Sequence, residues 1–188
     1  VTELADNLFS GCESLTYVQL PDSLTSIGAY AFNGCTNLKT PVFPKGLETI
    51  GYCAFYNCEE ISIVVLPSSV TVIDSYAFAS CERLHTIDLS PNWSMVNGGT
   101  SPFTDNPLLT SVVIPEGMEV IPSKAFDTCE SLTNVIFPDS VKHISSYAFY
   151  NCESLQDVSF PDSLTTIEYA AFSGCSSFTT VTLPASVT

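Results

Sequence analysis

Phenylalanine recurs along this chain as Phe9, Phe32, Phe55, Phe78, Phe103, Phe126, Phe149 and Phe172, every 23 residues except for one interval of 25. No other feature narrows the possible folds as much. A fixed period of this length means that the chain stacks copies of one short unit, each burying its apolar side against its neighbours. A 23-residue unit is too short for two packed helices, so it predicts one strand and a compact return per coil.

The columns that accompany Phe define the unit. Three residues after it stand Cys12, Cys35, Cys58, Cys81, Cys129, Cys152 and Cys175, with Asn106 in the fifth unit. Aliphatic columns follow, then a proline at Pro21, Pro44, Pro67, Pro115, Pro138, Pro161 and Pro184, giving A-F-x-x-C-x-x-L-x-x-V-x-L-P-x-S-V-x-x-I-x-x-x. The L-x-x-V-x-L segment ends in the inward–outward alternation of a strand. Proline closes it because it has no N–H to give to a ladder. Turn residues such as Pro44-Lys45-Gly46 come next. Pairs such as Leu24/Ile27 and Val141/Ile144 then return to the core, and a short helical turn is expected to carry Ala-Phe inward. Gly11, Gly34, Asn57, Asn151 and Gly174, two residues after Phe, sit where a left-handed cap is expected. The reading is an α/β solenoid whose parallel strands lie roughly 4.8 Å apart.

All of residues 1–188 read as one solenoid domain of eight periods, with an irregular unit at about 88–106. That unit carries two extra residues, no Pro directly after Leu89, Pro102 where Ala is expected, and the single Trp. Two readings stay open: a looped-out coil with Trp93 and Val96 filling core slots, or a loop displayed for binding. Val1-Thr2 matches Val187-Thr188 in the period, and neither end shows a polar cap, which suggests a stretch cut from a longer array. With no initiator Met or basic-then-apolar leader, any targeting segment is expected outside these residues.

With these columns laid out, the sequence resembles the BspA-type (Treponema-type) leucine-rich repeat family of surface and secreted proteins. The run from Leu132 to Cys152, with Val135, Phe137, Pro138, Val141, Ile144, Ala148 and Phe149 in place, carries the resemblance. The resemblance implies a right-handed superhelix with a parallel β-sheet on its concave face. It also implies extracellular or cell-surface display, and a role in adhesion or protein recognition as a non-catalytic module of a larger protein. Two alternatives stay open: a structural spacer, or a substrate-docking module of a secreted protein that bears an enzyme or dockerin-like domain.

Composition excludes several partners. With 20 acidic against 5 basic residues the net charge is −15, which repels nucleic acid and anionic lipid. No apolar run approaches the roughly 18 residues of a membrane helix, so membrane insertion is not expected.

The residues give no catalytic, metal or cofactor signal. Seven cysteines share one column, a pattern of buried reduced thiols rather than disulfides. Cys53 with Cys58 forms only an isolated C-x4-C, too little for zinc. His85 and His143 have no nucleophile at a recognised spacing. Acids after the column Cys (Glu13, Glu59, Glu82, Glu130, Glu153) and after the column Pro (Asp22, Glu116, Asp139, Asp162) form solvated ridges without a dense calcium loop. Asn92-Trp93-Ser94 is a glycosylation sequon.

The outward strand positions point to function. Val42, Ile63, Val65, Val113 and Ile136 are apolar although the core does not need them, and β-branched residues also suit a half-exposed sheet. They are the expected ligand-binding face, with Tyr17 and Asp88 at its margin and the irregular loop around Trp93 as the second candidate. A basic or neutral protein ligand is expected.

Overall fold

The computed structural model describes residues 1–89, 93 and 101–188. Val96 and Asn92 of the sequon lie outside the described residues.

The chain forms a parallel β-solenoid whose coils advance by 23 residues, as the register Glu3↔Ser26 and Ser26↔Thr49 shows. Strands run along two faces. The larger sheet joins β4 (Ile63–Val65), β6 (Thr86–Asp88), β7 (Ser111–Val113) and β9 (Asn134–Ile136), all parallel. Its burial alternates exposed, buried, exposed in each strand, as the L-x-x-V-x-L segment requires.

A second face was not expected. There the Ile column makes two-residue strands: β1 (Glu3–Leu4), β2 (Ser26–Ile27), β3 (Thr49–Ile50) and β5 (Val72–Ile73) in one sheet. On the other side of the irregular unit, β8 (Val120–Ile121), β10 (His143–Ile144) and β11 (Thr166–Ile167) form another. Backbone bonds such as Gly51 N–H to Ile27 O (2.9 Å) lock each coil to the one before it.

The α/β class needs correcting. Among the described residues there is no helix, and the segment around Ala-Phe is a series of tight turns. Alternate amides leave the coil: Tyr30, Phe32 and Gly34 donate to Tyr52, Ala54 and Tyr56 of the next coil at 2.8 Å. Amides between them close four-residue turns, Ala31 N–H to Gly28 O and Cys35 N–H to Phe32 O. Tyr30 (φ 57°) and Gly34 (φ 71°) fill the third positions of these two turns with positive φ, as type II turns require. The left-handed conformation expected two residues after Phe is present, at Asn57 and Gly174 for example, but it closes a turn and caps no helix. A second left-handed column stands two residues before Phe. Two left-handed residues within five, and amides committed to the neighbouring coil, leave no run of αR residues to make a helix.

Phe32, Phe55, Phe78, Phe103, Phe126 and Phe149 are fully buried, and their rings form a stacked ladder with Phe9 and Phe172 at its ends. Centroid spacings are 5.1 Å between Phe32 and Phe55 but 5.8 Å on either side of Phe103, which follows the irregular unit. Trp93 is buried edge-on against Phe103 at 5.8 Å.

Beside this ladder runs a column of thiols. All eight cysteines are free. Each of Cys35, Cys58, Cys81, Cys129, Cys152 and Cys175 donates its S–H to the carbonyl of a Phe in the preceding coil, at 3.1 to 3.4 Å. Cys12, in the first coil, is exposed, which departs from the uniform burial expected of the column.

Candidate functional site

The outward side chains of the larger sheet form two rows. In the first, Ile63, Thr86, Ser111 and Asn134 are in register across β4, β6, β7 and β9. In the second, Val65, Asp88, Val113 and Ile136 are in register. The inward residues between them, Val64, Ile87, Val112 and Val135, are buried, which fixes the backbone under both rows. Ile63 (40%), Val65 (55%), Val113 (57%) and Ile136 (52%) keep much of their surface in water. Asp88 stands between Val65 and Val113, inside the patch rather than at its margin.

Tyr17 and Val42 are exposed but do not join this hydrogen-bonded sheet. Pro41 accounts for the break beside Val42: it has no N–H for the ladder. The Thr40 hydroxyl takes over part of the pairing, accepting from Ser62 N–H and Ile63 N–H at 3.3 Å. Between these first two coils the surface opens into a cleft of about 600 Å³, lined by Tyr17, Leu20, Val42 and Phe43, with Asp22 and Lys45 among its walls. A smaller cleft of about 450 Å³ opens beyond β9, lined by Ile136, Phe137 and Phe160 and by three carboxylates, Asp139, Asp157 and Asp162. Asp157 accepts long hydrogen bonds from the Thr179 and Thr180 hydroxyls. Trp93, with 5% of its surface exposed, is part of the core.

His143 belongs to a small polar cluster that the sequence did not single out. Its Nε2 lies 2.8 Å from Glu168 Oε1, while Ser146 donates both its N–H and its hydroxyl to Glu168 Oε2 at 2.8 Å. These Ser146 hydrogen bonds, with a smaller contribution from His143, hold the Glu168 carboxyl below its ordinary value. The serine hydroxyl donates to the carboxylate and not to the imidazole, so the cluster does not form the serine–imidazole pair of a hydrolytic triad. Had Ser146 been matched with Glu168 at a separation of 22 residues, close to one period, the contact would have been visible in the sequence. His85 pairs with its neighbour, Nδ1 to Thr86 Oγ1 at 2.9 Å. Among the described residues, no group of three or more His, Cys, Asp or Glu side chains is arranged to hold a metal ion. No helix there is long and apolar enough to cross a membrane.

The sequence matches the description "BspA type Leucine rich repeat region" in six copies, over residues 2–104 and 99–188. The chain belongs to the BspA-type leucine-rich repeat family. Among solved structures, a leucine-rich repeat protein of T. pallidum is 34% identical with a TM-score of 0.77, over 82% of this chain and 72% of that one. A leucine-rich repeat protein from Eubacterium ventriosum is 29% identical with a TM-score of 0.78, over 93% of this chain and 46% of that one. The chain therefore spans less than half the length of the E. ventriosum protein. The pneumococcal vaccine antigen PcpA, 20% identical with a TM-score of 0.53 over 90% of this chain and 41% of its own, shares the fold. No curated protein matches the chain in sequence. The BspA-type repeat, as this chain builds it, thus carries one open sheet face, one face of two-residue strands, and the Phe and Cys columns between coils.

Proposed function

We propose that this BspA-type repeat chain is a non-catalytic, extracellular protein-binding module that engages its partner through the open face of the larger sheet. The observation that carries this reading is the exposure of Ile63, Val65, Val113 and Ile136 on strands whose inward residues are buried. Exposed apolar patches tend to mark interaction sites. These four side chains come from three coils held on one hydrogen-bonded surface, so little ordering entropy is lost on docking. Surface display is what membership of the BspA-type family of surface and secreted proteins implies for this chain. The net charge of −15 favours a basic or neutral ligand.

The test is a double change, Ile63→Asp with Val65→Lys, first checked for an unchanged melting temperature and then used in pull-downs against secreted and host-surface proteins. A partner of the parent chain should be lost. Retention at full affinity would move the contact off this face. A parent chain that captures nothing would favour a spacer.

A further inference from the structure

We infer that the open sheet face is a socket for a lysine or arginine side chain, with Asp88 at its centre and apolar residues of the same partner segment on either side. This rests on the reading of that face as the contact surface and adds the chemistry of what fills it.

Asp88 lies at the end of β6, in register with Val65 on one side and Val113 on the other, and Ile136 continues the row. Its carboxylate is exposed, and among the described residues it has no ion pair or side-chain hydrogen bond. The cations nearest in sequence are committed elsewhere or absent: Arg83 holds Glu60 with two contacts of 2.8 and 2.9 Å, and β7 and β9 contain no basic residue. A carboxylate among valines is well solvated only while the face is bare. Once a partner covers Val65 and Val113, Asp88 loses its water and must be paired, because an unpaired buried charge is strongly unfavourable. An acidic or purely apolar partner would leave it unpaired. A lysine or arginine meets both demands: the charged head pairs with Asp88, and the aliphatic stem lies along the two valines. Apolar residues beside that cation would reach Ile63 and Ile136. The same logic sets selectivity, since the surrounding acids repel anionic competitors.

The experiment pans a phage-displayed library of random peptides, about a dozen residues long, against the immobilised chain and then titrates enriched peptides at several salt concentrations. Asp88→Asn removes the charge at an exposed position with little change in shape, and its melting temperature is checked first. Glu13→Gln, in the first coil, removes one charge elsewhere and controls for general attraction of basic peptides to an acidic protein. The expected result is enrichment of Lys or Arg flanked by apolar residues, with affinity reduced at least about tenfold by Asp88→Asn, a flatter salt dependence, and no such loss for Glu13→Gln. Enriched peptides without a cation, no enrichment, or indifference to Asp88→Asn would each overturn the socket. Peptides that lose binding with the Ile63→Asp, Val65→Lys double change but not with Asp88→Asn would sink the socket and leave the sheet-face reading standing. Peptides indifferent to both changes would sink both.

Discussion

Asn106 Nδ2 lies 3.0 Å from the carbonyl oxygen of Phe78, making the contact that a cysteine thiol makes with a Phe carbonyl in the neighbouring coils. The substitution of Asn for Cys in the irregular unit therefore preserves the donor. It also adds bonds: Nδ2 donates to Phe103 O at 2.7 Å, and Oδ1 accepts the Cys81 N–H at 3.0 Å. In the regular coils the corresponding amide, such as Cys35 N–H, bonds the Phe carbonyl of its own turn. Asn106 is fully buried, so each of these bonds is made away from water.

Asn106→Leu should cost about 2–3 kcal/mol, because it leaves the Cys81 N–H and the Phe78 carbonyl without that partner in the core. Asn106→Cys should cost less than about 1 kcal/mol, since a thiol can reach Phe78 and Cys81 N–H can turn to the carbonyl its counterparts use. Urea denaturation of the two variants separates these outcomes. Equal losses would mean that Asn106 acts by volume and not by bonding.

The thiol column sets a reactivity pattern and a pH limit. Cys12 should react with a thiol reagent in the native chain, and the seven buried cysteines only after unfolding. Burial pushes the Cys81 and Cys129 thiols up from 9.0 to about 12 and Cys175 to about 11. The folded state thus keeps these groups neutral where the unfolded chain ionises them. Their contribution to stability is fully present below pH 9.0 and falls as the pH rises from there toward the folded values. Denaturation midpoints measured from pH 8 to pH 11 should decline. A flat profile, or several thiols modified in the native state, would mean that the column is open to solvent.

The Phe ladder gives the largest single-site losses. Phe126→Ala and Phe149→Ala each remove a ring stacked on both sides and fully buried, and each should cost about 3–5 kcal/mol. Denaturant melts check this. A loss below about 1 kcal/mol at either position would contradict burial of the column.

What could be read in the sequence depended on which contacts repeat in residue type. The Phe and Cys columns and the strand through Val64, Ile87, Val112 and Val135 were legible because each position uses one class of side chain in nearly every coil. The second sheet was not: its strands are only two residues long, as in Ser26–Ile27, and show no alternation to read. The expected helical turn failed because inter-coil bonds such as Phe32 N–H to Ala54 O replace the local bonds of a helix, and such bonds leave no mark on residue choice. Pro41 was visible as an exception, but its effect on the ladder needed the neighbouring hydroxyl of Thr40 to be placed. For the candidate face, exposure followed from the alternation, whereas the central place of Asp88 followed from strand register.

The left-handed columns make the last prediction. Two residues after Phe the chain often uses Gly or Asn, residues that tolerate positive φ. Two residues before Phe the same backbone sign is imposed on Tyr30, Cys53, Tyr76, Lys124, Tyr147 and Ala170, none of them glycine. The tyrosines recover part of that cost through edge-on packing, as in Tyr30–Tyr52 at 5.2 Å and Tyr147–Tyr169 at 5.5 Å, and the Lys124 ammonium lies 5.6 Å from the Tyr147 ring centre. Ala170 (φ 54°) has only a methyl group and recovers nothing comparable. A left-handed Ala costs about 1–2 kcal/mol more than Gly in the folded state. The greater freedom of Gly in the unfolded chain offsets about 0.4–1 kcal/mol of that. Ala170→Gly should therefore raise stability by about 0.5–1 kcal/mol. Gly34→Ala should lower it by about 0.5–1 kcal/mol after the same unfolded-state offset: φ is +71°, and the nearest atom to an added Cβ is Gly11 Cα at 3.9 Å, so the cost is conformational and not steric. Opposite shifts in melting temperature, a few degrees at most for a chain of this size, are the expected readout. A loss of stability in Ala170→Gly would mean that the turn at this position does not hold a positive φ in solution.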